Sequence, residues 1–233
     1  MIVCDKVEKR FGKVVALDGV SLRIQRGERV ALIGTNGSGK TSLLRALVGL
    51  LRVGGQITID GIDVARAPER ALRVVAYMPQ TTPPLEAPVA ELVRASCALR
   101  GVEVERVRAR AVRLGLDLDT IARVRVRDLS GGMKQKLAAS LALACDAPIL
   151  ICDEPTASLD AEARDALFTQ LGERPADTTL VLCSHRADEV SALVDRVVEL
   201  REGRVVRDER VRPAESELVS LSRERSHALR RFG

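Results

Sequence analysis

The stretch Gly34-Thr35-Asn36-Gly37-Ser38-Gly39-Lys40-Thr41 satisfies the pattern G-x-x-x-x-G-K-[ST] at every fixed position. Such a loop works only between a strand and a helix, and both flanks comply. Arg29-Val30-Ala31-Leu32-Ile33 is a short, mostly apolar run suited to a buried strand, and the residues from Thr41 to Val48 have helical spacing. The glycines let backbone N–H groups close around phosphate oxygens, and the helix N-terminus adds partial positive charge. Lys40 reaches the outer phosphates and Thr41 places a hydroxyl on Mg²⁺. Gly34, Asn36, Gly37, Ser38, Gly39, Lys40 and Thr41 are therefore the first candidate binding set.

Around this loop the chain alternates strands and helices. From Ile2 to Ile24, short apolar segments separated by turns at Phe11-Gly12-Lys13 and Asp18-Gly19 predict antiparallel strands. Phe11 is an aromatic beside a turn glycine, where an adenine ring can stack on it; ordinary packing is the alternative from position alone. Gly54-Gly55 breaks the pattern, Gln56 to Gly61 reads as a strand ending in a D-G turn, and Pro68 to Arg73 as a short helix. Val74 to Met78 predicts a buried strand closed by Pro79-Gln80. Gln80, at that strand's end, is either a ligand sensor or a plain loop glutamine.

Residues 89–126 change to alanine- and arginine-rich helix. Val89-Leu92-Val93 with Ser96-Leu99 fits one amphipathic helix stopping at Gly101, and Val104, Val107, Ala111 and Leu114 fit a second stopping at Gly115. The arginines between 106 and 127 read as a solvated face, or one near lipid headgroups or a partner's acidic loop. Leu129-Ser130-Gly131-Gly132-Met133 then opens a further helix with Ser130 as N-cap. Paired glycines strip side chains from its start, which makes Ser130, Gly131 and Gly132 a second phosphate-binding surface.

Ile149-Leu150-Ile151-Cys152 predicts an apolar strand delivering Asp153 and Glu154 at its end. Two adjacent carboxylates suit a division of labour: one holds Mg²⁺ through its hydration shell and the other orients or deprotonates water; a plain acidic turn is the alternative. Ser158-Leu159-Asp160 caps a helix from Ala161 to Glu173, Thr179 to Cys183 predicts another buried strand, and His185 sits at its end, where α/β sheets bind ligands; a structural histidine is the alternative. A closing hairpin spans residues 197–206, and residues 213–233 form a charged tail.

Together these elements predict a three-layer α/β fold with a mostly parallel sheet. A chain of 233 residues with 46% hydrophobic content can bury a sizeable core. No uninterrupted apolar run is long enough to span a bilayer and no leader pattern opens the chain, so a soluble cytoplasmic protein is expected. The five cysteines are scattered without a CxxC pair, which argues against a disulfide framework or a zinc site and for buried free thiols. A net charge of +5 invites nucleic acid or an anionic membrane surface, but with one tyrosine, three phenylalanines and no tryptophan the stacking platforms of a single-strand binder are missing, and solvated charge is the reading preferred.

The order of motifs, Gly34–Thr41, Gln80, Leu129-Ser130-Gly131-Gly132-Met133, Ile149–Glu154, Ser158-Leu159-Asp160 and His185, resembles the nucleotide-binding subunits of ATP-binding-cassette (ABC) transporters. The resemblance covers the chain to about residue 212. It implies the P-loop NTPase fold of the ABC type, with an antiparallel β subdomain and a small inserted α-helical subdomain at about 85–128. It implies ATP and Mg²⁺ as ligands, with Phe11 on the adenine, Lys40 and His185 on the γ-phosphate, Thr41, Gln80 and Asp153 at the metal, and Glu154 as general base. It also implies a homodimer in which Ser130, Gly131 and Gly132 of one chain close over ATP held by the other, and a transmembrane subunit on a separate chain as the membrane contact at the cytoplasmic face. No nucleic-acid partner is expected. The compact single domain and the Tyr77-Met78-Pro79-Gln80 context look more like ABC-2-type exporters than sugar importers. A cassette driving a membrane protein mechanically, or one acting on DNA or ribosomes, is the alternative. Phe11 where tyrosine is commoner, Met133 where glutamine is frequent, and Cys152 where an aliphatic residue is usual depart mildly from the family's pattern.

Overall fold

A computed structural model describes residues 1–184 and 191–211. Strands β1 (Ile2–Phe11) and β2 (Val14–Ile24) form an antiparallel hairpin, and β1 also pairs with β4 (Gly54–Ile59), which pairs with the short β5 (Ile62–Asp63). The expected turn at Asp18-Gly19 is instead a bulge: β2 runs through it, and the pairing slips between Val7↔Val20 and Lys9↔Leu17. A D-G pair serves either geometry, and the neighbouring ladder on β1 decides which. Gly54 and Gly55, expected to break the pattern, open β4 itself.

The second sheet holds β3 (Arg29–Ile33), β6 (Val75–Met78), β7 (Ile149–Asp153), β8 (Thr179–Cys183), β9 (Arg196–Arg201) and β10 (Arg204–Arg210), in the order β10-β9-β3-β8-β7-β6. All pairs are parallel except β9–β10. Its central strands are apolar at successive positions because both faces are covered. Val30, Leu32, Ile149, Ile151, Val181 and Cys183 pack toward α1 (Lys40–Leu47) and the antiparallel sheet. Ala31, Leu150, Cys152, Leu180 and Leu182 pack toward α5 (Gly131–Ala144) and α6 (Ala161–Gly172). The three-layer expectation is met, and the alternation has a functional consequence: Asp153, two residues beyond Ile151, emerges on the α1 side.

The chain also forms α2 (Pro68–Leu72), α3 (Val89–Arg100) and α4 (Val104–Arg113). Val89, Val93 and Cys97 of α3 and Val107 and Ala111 of α4 share a third apolar cluster with Leu137 and Ala144 of α5. The insert is thus anchored on the helix that begins at the Ser130-Gly131-Gly132 segment. Leu99, one of the apolar residues in the amphipathic pattern of α3, is 86% exposed. Val89, Val93 and Cys97 fill that stripe at i, i+4, i+8, and Leu99 lies off it.

The insert's arginines are not simply solvated. Arg106 makes a bidentate contact with Asp146 at 2.6 Å, Arg113 another with Glu173 at 2.7 and 2.8 Å, Arg108 pairs with Asp119, and Arg127 pairs with Glu86. These pairs are largely exposed and add little stability; those of Arg106 and Arg113 orient the insert against the ends of α5 and α6, while those of Arg108 and Arg127 lie within it. Composition cannot show this, because the acidic partners lie up to 60 residues away.

Arg174, by contrast, is only 8% exposed. Its guanidinium donates to the carbonyls of Leu143 (3.4 Å), Cys145 (2.8 Å) and Ala147 (2.9 Å), satisfying the end of α5. Arg174→Ala orphans these buried acceptors and is expected to destabilise the fold by about 3 kcal/mol. Urea unfolding followed by circular dichroism measures the loss.

Candidate functional site

The strand, loop and helix order places the 34–41 loop at the C-terminal edge of the parallel sheet, where α/β folds bind ligands. Thr35, Asn36 and Gly37 form its exposed tip, while Ser38 and Lys40 are buried. A side chain at Gly39 would run into the Ala16 carbonyl, and one at Gly34 into the Leu200 carbonyl. Both glycines also adopt positive φ, 106° and 144°. The loop is therefore gripped between β2 and the closing hairpin, and Gly203 N–H donates to the Ser38 carbonyl at 3.0 Å. Nothing in the motif announces this contribution of the 200–203 turn.

Lys40 Nζ donates to the carbonyls of Gly34 (2.7 Å) and Thr35 (3.2 Å), so the cation sits over the mouth of its own loop. Ser38 Oγ is buried without a hydrogen-bond partner. Thr41 Oγ1 donates to Asp153 Oδ1 at 3.1 Å, joining residues 112 apart in sequence, and Asp153 Oδ2 is buried without a hydrogen-bond partner. Burial pushes the Asp153 carboxyl above the usual carboxylate range, and the Thr41 hydroxyl partly opposes this. An orphaned, desolvated carboxylate oxygen beside a threonine hydroxyl is an oxygen donor set suited to a hard cation such as Mg²⁺.

Glu154 is 7% exposed and has φ 48°, a left-handed conformation that is strained for a glutamate. Its N–H donates to the Cys183 carbonyl at 3.1 Å, and the Cys183 thiol lies 3.9 Å from Oε1. The sheet register pairs Asp153 with Cys183, so β8 supports both carboxylates. Burial, aided by the two carboxylates, pushes the Cys183 thiol well up and keeps it protonated. The sequence alone makes Cys183 one of five buried free thiols; only the β7–β8 register reveals what it touches.

Gln80 follows the end of β6 and is exposed, lining a surface cleft with Arg45, Tyr77 and Pro83. Thr82, just beyond it, donates to the Lys134 carbonyl of α5 at 3.3 Å. The Tyr77 hydroxyl is pushed up to about 12, by burial first and then by the charge of Asp153. Phe11 is 51% exposed at the end of β1, with Lys9 Nζ 5.3 Å from its ring centroid. Ser130 caps α5 by accepting from Met133 N–H at 3.2 Å; Ser130 and Gly131 are exposed, and no hydrogen bond among the described residues ties them to the 34–41 loop. His185 lies outside the described residues, as does the 213–233 tail. The structure thus gathers Lys40, Thr41, Asp153 and Glu154 beside one loop, and leaves Phe11, Gln80 and the Ser130-Gly131-Gly132 segment on open surface.

Among the described residues no helix is long and apolar enough to cross a membrane, and no cluster of three or more His, Cys, Asp or Glu is placed to hold a metal. Cys4, Cys97, Cys152 and Cys183 are free and buried, and Cys145 is free and half-buried.

The profile of the family described as "ABC transporter" matches residues 17–157. The chain is 33% identical to a methionine import ATP-binding protein of Carboxydothermus hydrogenoformans, over 84% of this chain and 61% of that protein. It is 35% identical to a daunorubicin resistance ATP-binding protein of Streptomyces coeruleorubidus, over 88% of this chain and 66% of that one. It therefore spans about two thirds or less of these curated relatives' own lengths. Among solved structures, a dimeric ATP-binding cassette in a post-hydrolysis state with ADP and Pi superposes with a TM-score of 0.78 at 25% identity, over 91% of this chain and 99% of that one.

Proposed function

Because the chain belongs to the ABC transporter family, we propose that it binds ATP with Mg²⁺, dimerises with a second copy around two nucleotides, hydrolyses them, and drives a transmembrane subunit carried on another chain at the cytoplasmic face of the membrane. The observation that carries this reading is the Thr41–Asp153 hydrogen bond, with the orphaned Asp153 Oδ2 and the strained Glu154 beside it. The solved dimer with ADP and Pi supports both dimerisation and turnover. The functional unit is residues 1–212, with the helical insert at about 85–128.

In this reading Lys40 exchanges its two loop carbonyls for phosphate oxygens, and the loop N–H groups with Ser38 Oγ hold the anion. Thr41, Asp153 and Gln80 would hold Mg²⁺, which when bound neutralises charge on the outer phosphates. Glu154 orients and deprotonates the attacking water, His185 contacts the γ-phosphate, and Ser130, Gly131 and Gly132 complete the partner chain's site. ATP hydrolysis by the purified chain with Mg²⁺, and co-purification of a membrane subunit from solubilised membranes, test the two halves of the proposal. Relatives named for import and for resistance match at similar identity; export is the direction we favour, on the Tyr77-Met78-Pro79-Gln80 context.

Phe11 supplies the adenine platform. Stacking of a base on an aromatic is worth about 1–3 kcal/mol, so Phe11→Ala is expected to raise the ATP dissociation constant about tenfold and to reduce preference for ATP over pyrimidine nucleotides. Nucleotide titration reads both, and unchanged values return Phe11 to ordinary packing.

A further inference from the structure

Three contacts bind the start of α5 to the turn that follows Glu154, and two of them are made by side chains given no role above, Gln135 and Lys136. Gln135 is 2% exposed, and its side-chain amide donates to the Pro155 carbonyl at 3.0 Å. Lys136 Nζ lies 3.2 Å from Asp160 Oδ2, while the other oxygen of Asp160 caps α6 through Ala163 N–H at 2.8 Å. Gly132 lies so close to the same turn that a Cβ there would stand 3.0 Å from the Ser158 carbonyl. The 154–160 turn is itself tightened by Ala157 N–H on the Glu154 carbonyl (3.2 Å) and Leu159 N–H on the Thr156 carbonyl (3.1 Å). A displacement of Glu154 or Pro155 is therefore transmitted to the first turn of α5 through a buried hydrogen bond, a partly exposed ion pair and the close approach of Gly132.

This inference rests on the dimer reading above. In that dimer the two ends of the linkage serve different nucleotides: Glu154 acts on the ATP of its own chain, and Ser130, Gly131 and Gly132 act on the ATP of the other. We propose that Gln135 is a positioning residue that couples the two ATP sites, by tying the turn after the general base to the anion-binding helix start presented to the second chain. The donor amide is what the coupling needs. Without it the Pro155 carbonyl loses its buried partner and the turn is held to α5 less firmly. Lys136 with Asp160 forms a second, more exposed tie in the same direction. Coupling of this kind is a free energy between sites, and it appears as cooperativity rather than as affinity at either site.

The test uses the full chain and compares wild type, Gln135→Leu and Lys136→Ala. Steady-state hydrolysis is measured against ATP concentration, and nucleotide affinity is measured by fluorescent ATP at chain concentrations below dimerisation. Wild type is expected to show a Hill coefficient above about 1. Gln135→Leu is expected to bring it to about 1 and lower kcat about tenfold, with single-chain ATP affinity unchanged within about twofold. Lys136→Ala is expected to move both quantities in the same direction by less. A variant with lowered kcat and retained wild-type cooperativity, or one in which ATP affinity falls instead, overturns the proposal. If Gln135→Leu does not fold, unchanged cooperativity in Lys136→Ala overturns it equally. Failure of the underlying reading has a separate signature: Glu154→Gln chains that remain monomeric with ATP in sedimentation remove the dimer, and the coupling with it.

Discussion

Glu154→Gln is expected to lower ATP hydrolysis by about 10²–10⁴-fold, the usual contribution of a positioned general base, while leaving nucleotide binding intact. The substitution keeps the size of the side chain and removes the carboxylate proposed to take the proton from water. It also leaves the backbone reasons for the site in place. The residue's φ of 48° is imposed by the N–H bond to the Cys183 carbonyl and the tight turn through Ala157. The nearby Cys183 thiol, 3.9 Å from Oε1, tolerates an amide oxygen. With turnover blocked, the bound γ-phosphate keeps favouring the closed state, so an ATP-dependent dimer is expected to accumulate. Phosphate release and analytical ultracentrifugation measure the two effects. Near-normal turnover would remove Glu154 from the role of base.

Lys40→Ala is expected to weaken ATP binding about 100-fold, as the loss of two charge-assisted hydrogen bonds in a water-poor loop implies. In the structure the ammonium is already desolvated and spans the Gly34 and Thr35 carbonyls at the mouth of the loop. The alanine variant leaves those carbonyls pointing into the loop with no cation to offset them, which repels an anion. Isothermal titration with MgATP checks the loss. The two substitutions separate binding from chemistry: affinity falls with Lys40→Ala and turnover alone with Glu154→Gln. Unchanged affinity in Lys40→Ala would count against the loop assignment.

Much of this site is legible in the sequence because its parts are local. The 34–41 loop, Asp153-Glu154 at a strand end and Ser130-Gly131-Gly132 at a helix start each carry their chemistry within a few residues. Strand and helix periodicity then says on which kind of element they stand. Elements stabilised mainly by distant partners read less well. Asp18-Gly19 looks like a turn until β1 supplies a continuous ladder beside it. Leu99 looks like a core residue until Val89, Val93 and Cys97 occupy the buried stripe. The insert's arginines look solvated until Asp146 and Glu173 arrive from other parts of the chain.

By itself, then, the sequence determined the phosphate loop, the paired carboxylates, the three-layer α/β class and the order of motifs, since each depends on short-range spacing. The tertiary structure decided which of these meet. Strand parity on β7 turns Asp153 toward Thr41, the register of β8 sets Cys183 against Glu154, and the packing of α5 on the 155–160 turn joins Gln135 to Pro155. Those contacts span from 20 to 112 residues. No local pattern encodes them, because they arise only when separate strands and helices share one core.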